Sequence, residues 1–282
     1  MKKILSVLMT IMMLVTLSGC IVDSSAHSGV EDGVLTIAME CAYAPYNWTQ
    51  TDDSNGAVPI KDTNDFANGY DVMIAKRICE ANGWELEVVR SDWDSLVPSV
   101  QTGVIDAVIA GQSMTKERSE QVDFAGPYYY ATFAILVKDS SPLASATSIK
   151  DFGGYKGTAQ SASIWYSDCL PQMDGAKIQT AAESAPAMIM GVETGIFDFA
   201  VTDLPTATGA TIAYDDLKML DFSGTDGDFV FDNREELVNI GISLRKGNTT
   251  LKEDIDNYLN TLTVEDFNEI MDEAIRVQPL GE

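Results

Sequence analysis

The chain is short of histidine, of cations and of long apolar runs, and each shortage closes off a class of chemistry. Its one histidine, His27, stands near the N-terminus. A His-based catalytic triad or a His-ligated metal site in the body of the chain therefore has no imidazole to use. Cysteine is scarce: Cys20, Cys41, Cys79 and Cys169, with no Cys-x-x-Cys pair. That leaves zinc knuckles and dithiol redox chemistry unsupported. Lysine and arginine number 18 against 43 acids, a formal net charge of −25. Such a balance opposes binding to nucleic acid, or to anionic lipid through a basic face. No run beyond residue 20 is long and apolar enough to span a bilayer, which takes about 20 such residues.

The N-terminus does carry an apolar stretch. Lys2-Lys3 precedes Ile4 to Leu17, which is mostly apolar and ends in Leu17-Ser18-Gly19-Cys20. This is the layout of a signal peptide, too short for a stable span. Leu-Ser-Gly-Cys resembles a bacterial lipobox, in which cleavage leaves Cys20 to carry lipid. Residues 1–19 are thus expected to be a signal peptide and 20–32 a lipid-anchored tether holding His27. Loss of the leader removes two lysines and makes the charge more negative. Cys41, Cys79 and Cys169 then remain; three thiols allow at most one intramolecular disulfide, and spacing alone does not choose the pair.

A pattern in the body of the chain occurs twice. Gly103-Val-Ile-Asp-Ala-Val-Ile-Ala-Gly111 runs on through Gln-Ser-Met-Thr-Lys-Glu-Arg118, and Gly195-Ile-Phe-Asp-Phe-Ala-Val-Thr-Asp203 runs on to Leu-Pro205. Each reads as a helix-ending glycine, a short buried strand, and a polar loop that opens a new helix. In open α/β sheets ligands gather at such strand exits. The first exit carries a cation, Arg118, and the second an anion, Asp203, a pairing suited to gripping a zwitterion.

Around these copies the periodicity alternates strand and helix. Strands are expected at Val34–Met39, Leu86–Val88, Ile105–Ile109, Thr132–Val137, Asp198–Val201, Lys218–Leu220 and Val238–Leu244. Helices are expected from Tyr70 to Gly83, over Asp94–Thr102 and Pro186–Thr194, and in two acidic segments near Leu251–Thr261 and Val264–Arg276. Residues 52–68 read as a surface excursion. A β-α-β-α-β order implies parallel strands with crossover helices. The expected division is one lobe over 33–132 and 237–282 and a second over 138–224. Residues 133–137 and 225–236 are the expected hinge segments.

Several motifs, in order, resemble the bacterial extracellular solute-binding proteins of family 3, the amino-acid receptors of ABC importers. They are Tyr43-Ala-Pro45, Asn68-Gly-Tyr-Asp71, Asp92-Trp-Asp-Ser-Leu-Val-Pro98, Gly103-x-x-Asp106-Ala, Ala110-Gly-Gln-Ser-Met-Thr-Lys-Glu-Arg118, Val122-Asp-Phe124, Pro127-Tyr128-Tyr129 and Thr202-Asp203-x-Pro205. The resemblance spans nearly all of the chain beyond the tether. It implies an α/β, two-lobed periplasmic-binding-protein-like fold of type II, with two chain crossings forming a hinge. It also implies a monomer that closes on one free amino acid and hands it to an ABC permease, without cofactor or metal.

The resemblance assigns roles residue by residue. Arg118 matches the arginine that holds the ligand α-carboxylate, for which a guanidinium fork is well shaped; its other role is a surface pair with Glu117 or Glu120. Ser113 and the backbone of Ala110 and Gly111 match groups beside it, or are plain turn chemistry. Asp203 matches the α-ammonium ligand, and an aspartate before Leu-Pro is also an N-cap. Tyr43 and Trp93 match aromatic walls around the ligand's side chain, or only pack the lobe. Glu40 matches a position that is acidic in receptors of cationic amino acids and of glutamine; its alternative is a solvated surface acid. The family's Gly-Thr-Thr-like run appears here as Gln160-Ser-Ala-Ser163, which keeps a hydroxyl at Ser163 and loses the glycine and one threonine. Ser163 is then either a carboxylate ligand or a helix cap.

The resulting expectation is a lipid-anchored receptor for a polar, cationic L-amino acid. Glutamine or another polar amino acid is the alternative. An enzyme resembling cyclohexadienyl dehydratases of the same scaffold is a third reading, which needs a positioned general acid or base.

Overall fold

The computed structural model describes residues 29–279. The leader expected over 1–19, Cys20 with its expected lipid and most of the expected tether lie outside the described residues. The tether ends sooner than expected, because Val30 is buried in the first core and its carbonyl accepts from Gly33 N at 2.9 Å.

Two five-stranded sheets of matching design form the molecule. The first runs Glu85–Arg90, Val34–Met39, Ala107–Val108, Asn239–Leu244, Asp123–Tyr130. Its first three strands are parallel, and Asn239–Leu244 pairs antiparallel with both neighbours. The second runs Lys177–Ile178, Lys156–Thr158, Phe199–Asp203, Phe133–Lys138, Leu217–Leu220, again with three parallel strands and then antiparallel pairings. The repeated pattern explains the match: Gly103 and Gly195 take φ of 73° and 76°, left-handed values that a Cβ disfavours, and each ends its helix.

Helices Tyr70–Asn82, Trp93–Thr102, Thr249–Leu259 and Val264–Val277 complete the first lobe. The last buries Phe267, Ile270, Met271 and Ala274, a stripe at helical spacing that faces the core. Ala185–Glu193 and Leu204–Ala213 belong to the second. Residues 52–68, expected as a surface excursion, supply two strands, Val58–Pro59 and Phe66–Asn68, to an ordered sheet. Ala42–Tyr43, Asn47–Gln50, Phe66–Asn68 and Val58–Pro59 form a small antiparallel sheet.

The chain crosses between lobes at other residues than those expected. Phe133–Lys138 is an interior strand of the second sheet. Phe133, Ile135 and Val137 enter one core while Ala134 and Leu136 enter another, the two-residue alternation of a strand buried on both faces. Burial of each large apolar side chain contributes about 1.5–3 kcal/mol, so residues 133–137 are second-lobe core. Residues 225–236 are also bound to that lobe: Phe229 is in its core, and Arg234 pairs with Asp228 at 2.9 Å and covers the Phe133 ring. The crossings are at Ala131–Thr132 and next to Val238, and Ala131 N donates to Val238 O at 2.8 Å.

Candidate functional site

Strand exits from both lobes meet in one cleft. Val34–Met39 ends at Glu40, and Cys41 with φ of 55° turns the chain so that Tyr43 crosses toward the other lobe. Ala162, in the facing loop, has a similar φ of 51°. Left-handed backbone at non-glycine residues costs about 1–3 kcal/mol and concentrates at functional sites.

Asp203 is fully buried at the end of its strand. It caps helix Leu204–Ala213, accepting from Thr206 N at 2.9 Å and from Thr206 Oγ1 at 3.1 Å. Its Oδ2 also accepts from the Tyr43 hydroxyl of the first lobe at 2.5 Å. Burial raises its pKa, against the lowering effect of these hydrogen bonds. Tyr43 stacks on Tyr46 with ring centroids 4.9 Å apart. The Tyr46 hydroxyl is buried with no hydrogen-bond partner among the described residues.

Arg118 sits on the short helix Lys116–Ser119, which Thr115 caps through Arg118 N at 3.2 Å. Its guanidinium donates to Ser113 O at 3.0 Å and, across the cleft, to Ala162 O at 3.2 Å. It lies over the Trp93 ring, 5.4 Å from the centroid, a cation–π arrangement. No carboxylate of the described residues comes within ion-pair reach of it. The alternative role, a surface pair with Glu117 or Glu120, is thus not formed. Burial brings its pKa down to about 10, with Glu117 acting in the opposite direction. Two of its five N–H groups are used, which leaves donors for an anion.

Gly111 has φ of 66°, and a Cβ there would lie 2.9 Å from Tyr43 Cε1. Both the backbone and the aromatic neighbour therefore call for glycine. Its N–H donates to the Tyr128 hydroxyl at 2.9 Å, which donates to Asp71 Oδ1 at 2.6 Å. Asn47 Nδ2 binds the other oxygen of Asp71 at 2.8 Å. This buried relay fixes the 110–113 loop, and it uses the Gly111 amide. Burial raises Asp71 to about 7, with Tyr128 and Asn47 resisting.

Glu40 is half-buried and accepts from Gln160 Nε2 of the second lobe at 3.3 Å. Burial lifts its pKa to about 7; the Gln160 bond lowers it, and Asp92 and Asp94 raise it. Ser163 donates to Gln160 O at 2.6 Å and accepts from Tyr166 N at 3.4 Å, so its hydroxyl makes the turn and cap contacts of its loop. Ala110 and Asp203 are buried, and neither they nor Glu40 border the inner cavity; Tyr43, Trp93, Gly111, Ser113, Arg118 and Ser163 do.

The inner cavity, about 20 Å³, is bounded by Tyr43, Trp93, Gly111, Ser113, Arg118, Gln160, Ser163, Ile164 and Trp165. That is room for about one water molecule, so an amino acid enters only if the walls part. A groove of about 690 Å³ opens beyond Arg118 and shares Trp93, Arg118, Ser163 and Ile164 with it. Gln160, Ile164 and Trp165 are additions to the expected site, as is the Asp71–Tyr128 relay. Cys41, Cys79 and Cys169 are all buried free thiols. Among the described residues no group of histidine, cysteine or acid side chains is arranged to hold a metal ion.

Known proteins match this arrangement. The arginine-binding extracellular protein ArtP of Bacillus subtilis is 30% identical over 152 residues, which is 53% of this chain and 53% of that protein. The matched part thus spans about half of that relative. An amino-acid ABC transporter substrate-binding protein of Streptococcus pneumoniae, solved with L-arginine, superposes with a TM-score of 0.72 at 26% identity, covering 87% of this chain and 95% of that one. An ancestral arginine-binding protein bound to glutamine gives a TM-score of 0.67 at 27% identity, covering 86% and 97%. The model of the bacterial extracellular solute-binding proteins, family 3, matches residues 35–275. With two matching sheets, two crossings and a cleft lined from both lobes, the chain belongs to that family of binding proteins.

Proposed function

We propose that this protein is an extracytoplasmic receptor that captures a cationic L-amino acid between its lobes and delivers it to an ABC permease. One observation carries the reading: among the described residues, Arg118 has no ion pair and borders the inner cavity, while Asp203 is buried without a cation partner and is bonded from the opposite lobe by Tyr43, which lines that same cavity. Arg118 takes the α-carboxylate, and Asp203 takes the α-ammonium in place of the Tyr43 hydroxyl. Each of these is a charge-assisted bond. Glu40 receives the positive end of the side chain, and Tyr43 and Trp93 enclose its stem. Ser113, Gly111 and Ser163 shape the pocket around the carboxylate, and Ala110 packs behind them.

Recognition is split between lobes, so a ligand that touches both favours the closed arrangement, and closure is the signal the permease reads. The hydrogen-bonded crossings at Ala131 and Val238 are the hinge. Lipid on Cys20 keeps the receptor at the membrane surface as a monomer. The arginine-bound and arginine-named relatives support a cationic ligand. Glutamine is the second reading, because a carboxylate at Glu40 also accepts from an amide and one relative carries glutamine.

Calorimetric titration of the purified protein with each proteinogenic amino acid, ornithine and citrulline tests this. Tight binding confined to cationic amino acids is expected. Selective binding of glutamine would replace the cationic reading, and binding of none would end the receptor assignment.

A further inference from the structure

Gln160 stands out as a buried polar side chain that the receptor reading leaves unused. Only 5% of its surface is exposed. Its backbone is held on both sides: a bridge joins it to Ala182, Ser161 N donates to Ala182 O at 2.8 Å, and the Gln160 carbonyl accepts from Ser163 Oγ at 2.6 Å. The side chain is thereby delivered to the inner cavity. There it makes one side-chain hydrogen bond among the described residues, to Glu40 Oε2 of the opposite lobe. At 3.3 Å that bond is longer than the usual 2.7–3.2 Å range.

An amide can make more hydrogen bonds than this, with two N–H donors and a carbonyl of two lone pairs. Glu40 likewise has an oxygen with no partner among the described residues. The two side chains thus bring carboxylate and amide oxygens together from opposite lobes, beside the inner cavity that Gln160 borders. A guanidinium is a rigid plane with five N–H donors and can address two acceptor groups at once. A primary ammonium is a compact point charge that one carboxylate and water satisfy.

We propose that Gln160 is a specificity-determining residue that, with Glu40, reads a planar guanidinium head and ranks arginine above lysine and ornithine. Glu40 selects for positive charge, and Gln160 selects for shape and donor number. This rests on the receptor reading and sharpens it from a cationic amino acid to a guanidino one. The jaw is divided between lobes, so a guanidinium that spans it also draws them together.

The experiment is calorimetric titration of the full-length mature protein and of Gln160→Met with arginine, lysine, ornithine and citrulline. Wild type should bind arginine at least tenfold more tightly than lysine or ornithine, and more tightly than uncharged citrulline. In Gln160→Met, arginine affinity should fall at least tenfold and lysine affinity less than threefold, with the melting temperature retained. Equal losses for arginine and lysine, or an unchanged preference, would overturn the role of Gln160. Should the variant fold poorly, wild type alone decides: equal affinity for arginine and lysine overturns the proposal and leaves the cationic receptor standing. Failure of wild type to bind any of the four overturns both.

Discussion

Replacing Asp203 by asparagine and by alanine separates its observed job, capping a helix, from the proposed one, binding the ligand ammonium. As an N-cap it accepts from Thr206 N at 2.9 Å, and asparagine caps about as well as aspartate, whereas alanine loses about 1 kcal/mol. As a ligand group it must be negative, and asparagine is not. The burial that raises its pKa means that the charged form is held at a cost, which Asp203→Asn removes. That variant should therefore melt no lower than wild type near neutral pH, while Asp203→Ala melts lower. In binding, both lose the charge-assisted bond to the ligand ammonium, worth about 1.5–3 kcal/mol, or roughly 10- to 150-fold in Kd. Calorimetry and thermal melts on the three proteins supply both readouts. An Asp203→Asn protein that binds as tightly as wild type would refute the ammonium role and leave Asp203 as a cap alone.

Two further outcomes follow from other parts of the cleft. Arg118→Met keeps a long apolar stem but removes the fork. Binding should weaken by about 2–5 kcal/mol, and the emission of Trp93, now 5.4 Å from the guanidinium, should shift; a loss under about fivefold would sink the carboxylate assignment. Glu40 and Asp71 are both lifted to about 7 from ordinary carboxylate values. Between about pH 4.5 and 7 the folded protein then holds more protons than the unfolded chain, so stability falls as pH rises through that window and levels off above it. Melting temperature should be higher at pH 5 than at pH 8, and the opposite trend would contradict the burial of these acids.

Much of this architecture was legible because strong local signals coincide with the fold. Gly83, Gly103 and Gly195 each stop a helix with left-handed backbone, and Val34–Met39 is a strand over the expected residues. The strands among residues 42–68 were not legible. They are two to four residues long, too short for alternation to register, and their pairing is a tertiary fact. Residues 133–137 were misplaced because an apolar run between lobes has the same composition whether it crosses or forms an interior strand. Only the pairings with Phe199–Asp203 and Leu217–Leu220 decide that.

The site divides in the same way. Gly111, Ser113, Arg118 and Tyr43 sit in motifs that the family resemblance marks, and the structure brings them to one cavity. Gln160 had no signal of its own. Its meaning comes from Glu40, 120 positions earlier and on the other lobe. The relay from Asp71 through Tyr128 to Gly111 is likewise invisible in sequence, since it joins three separate segments. A bulky pair such as Ile164 and Trp165 reads as core, and here it is also cavity wall.

The bond between the Tyr43 hydroxyl and Asp203 has a consequence for every affinity this protein displays. If Asp203 takes the ligand's amino group as proposed, an incoming ammonium meets an acceptor already engaged by a rival that is tethered to the same molecule and cannot be diluted away. Measured binding is then a contest, and the apparent Kd equals the intrinsic one divided by the fraction of molecules in which the tyrosine has let go. A weakly held amino group, or a molecule lacking one, fails this contest even where the rest of the pocket suits it. The chain thereby carries an internal standard against which each solute is compared.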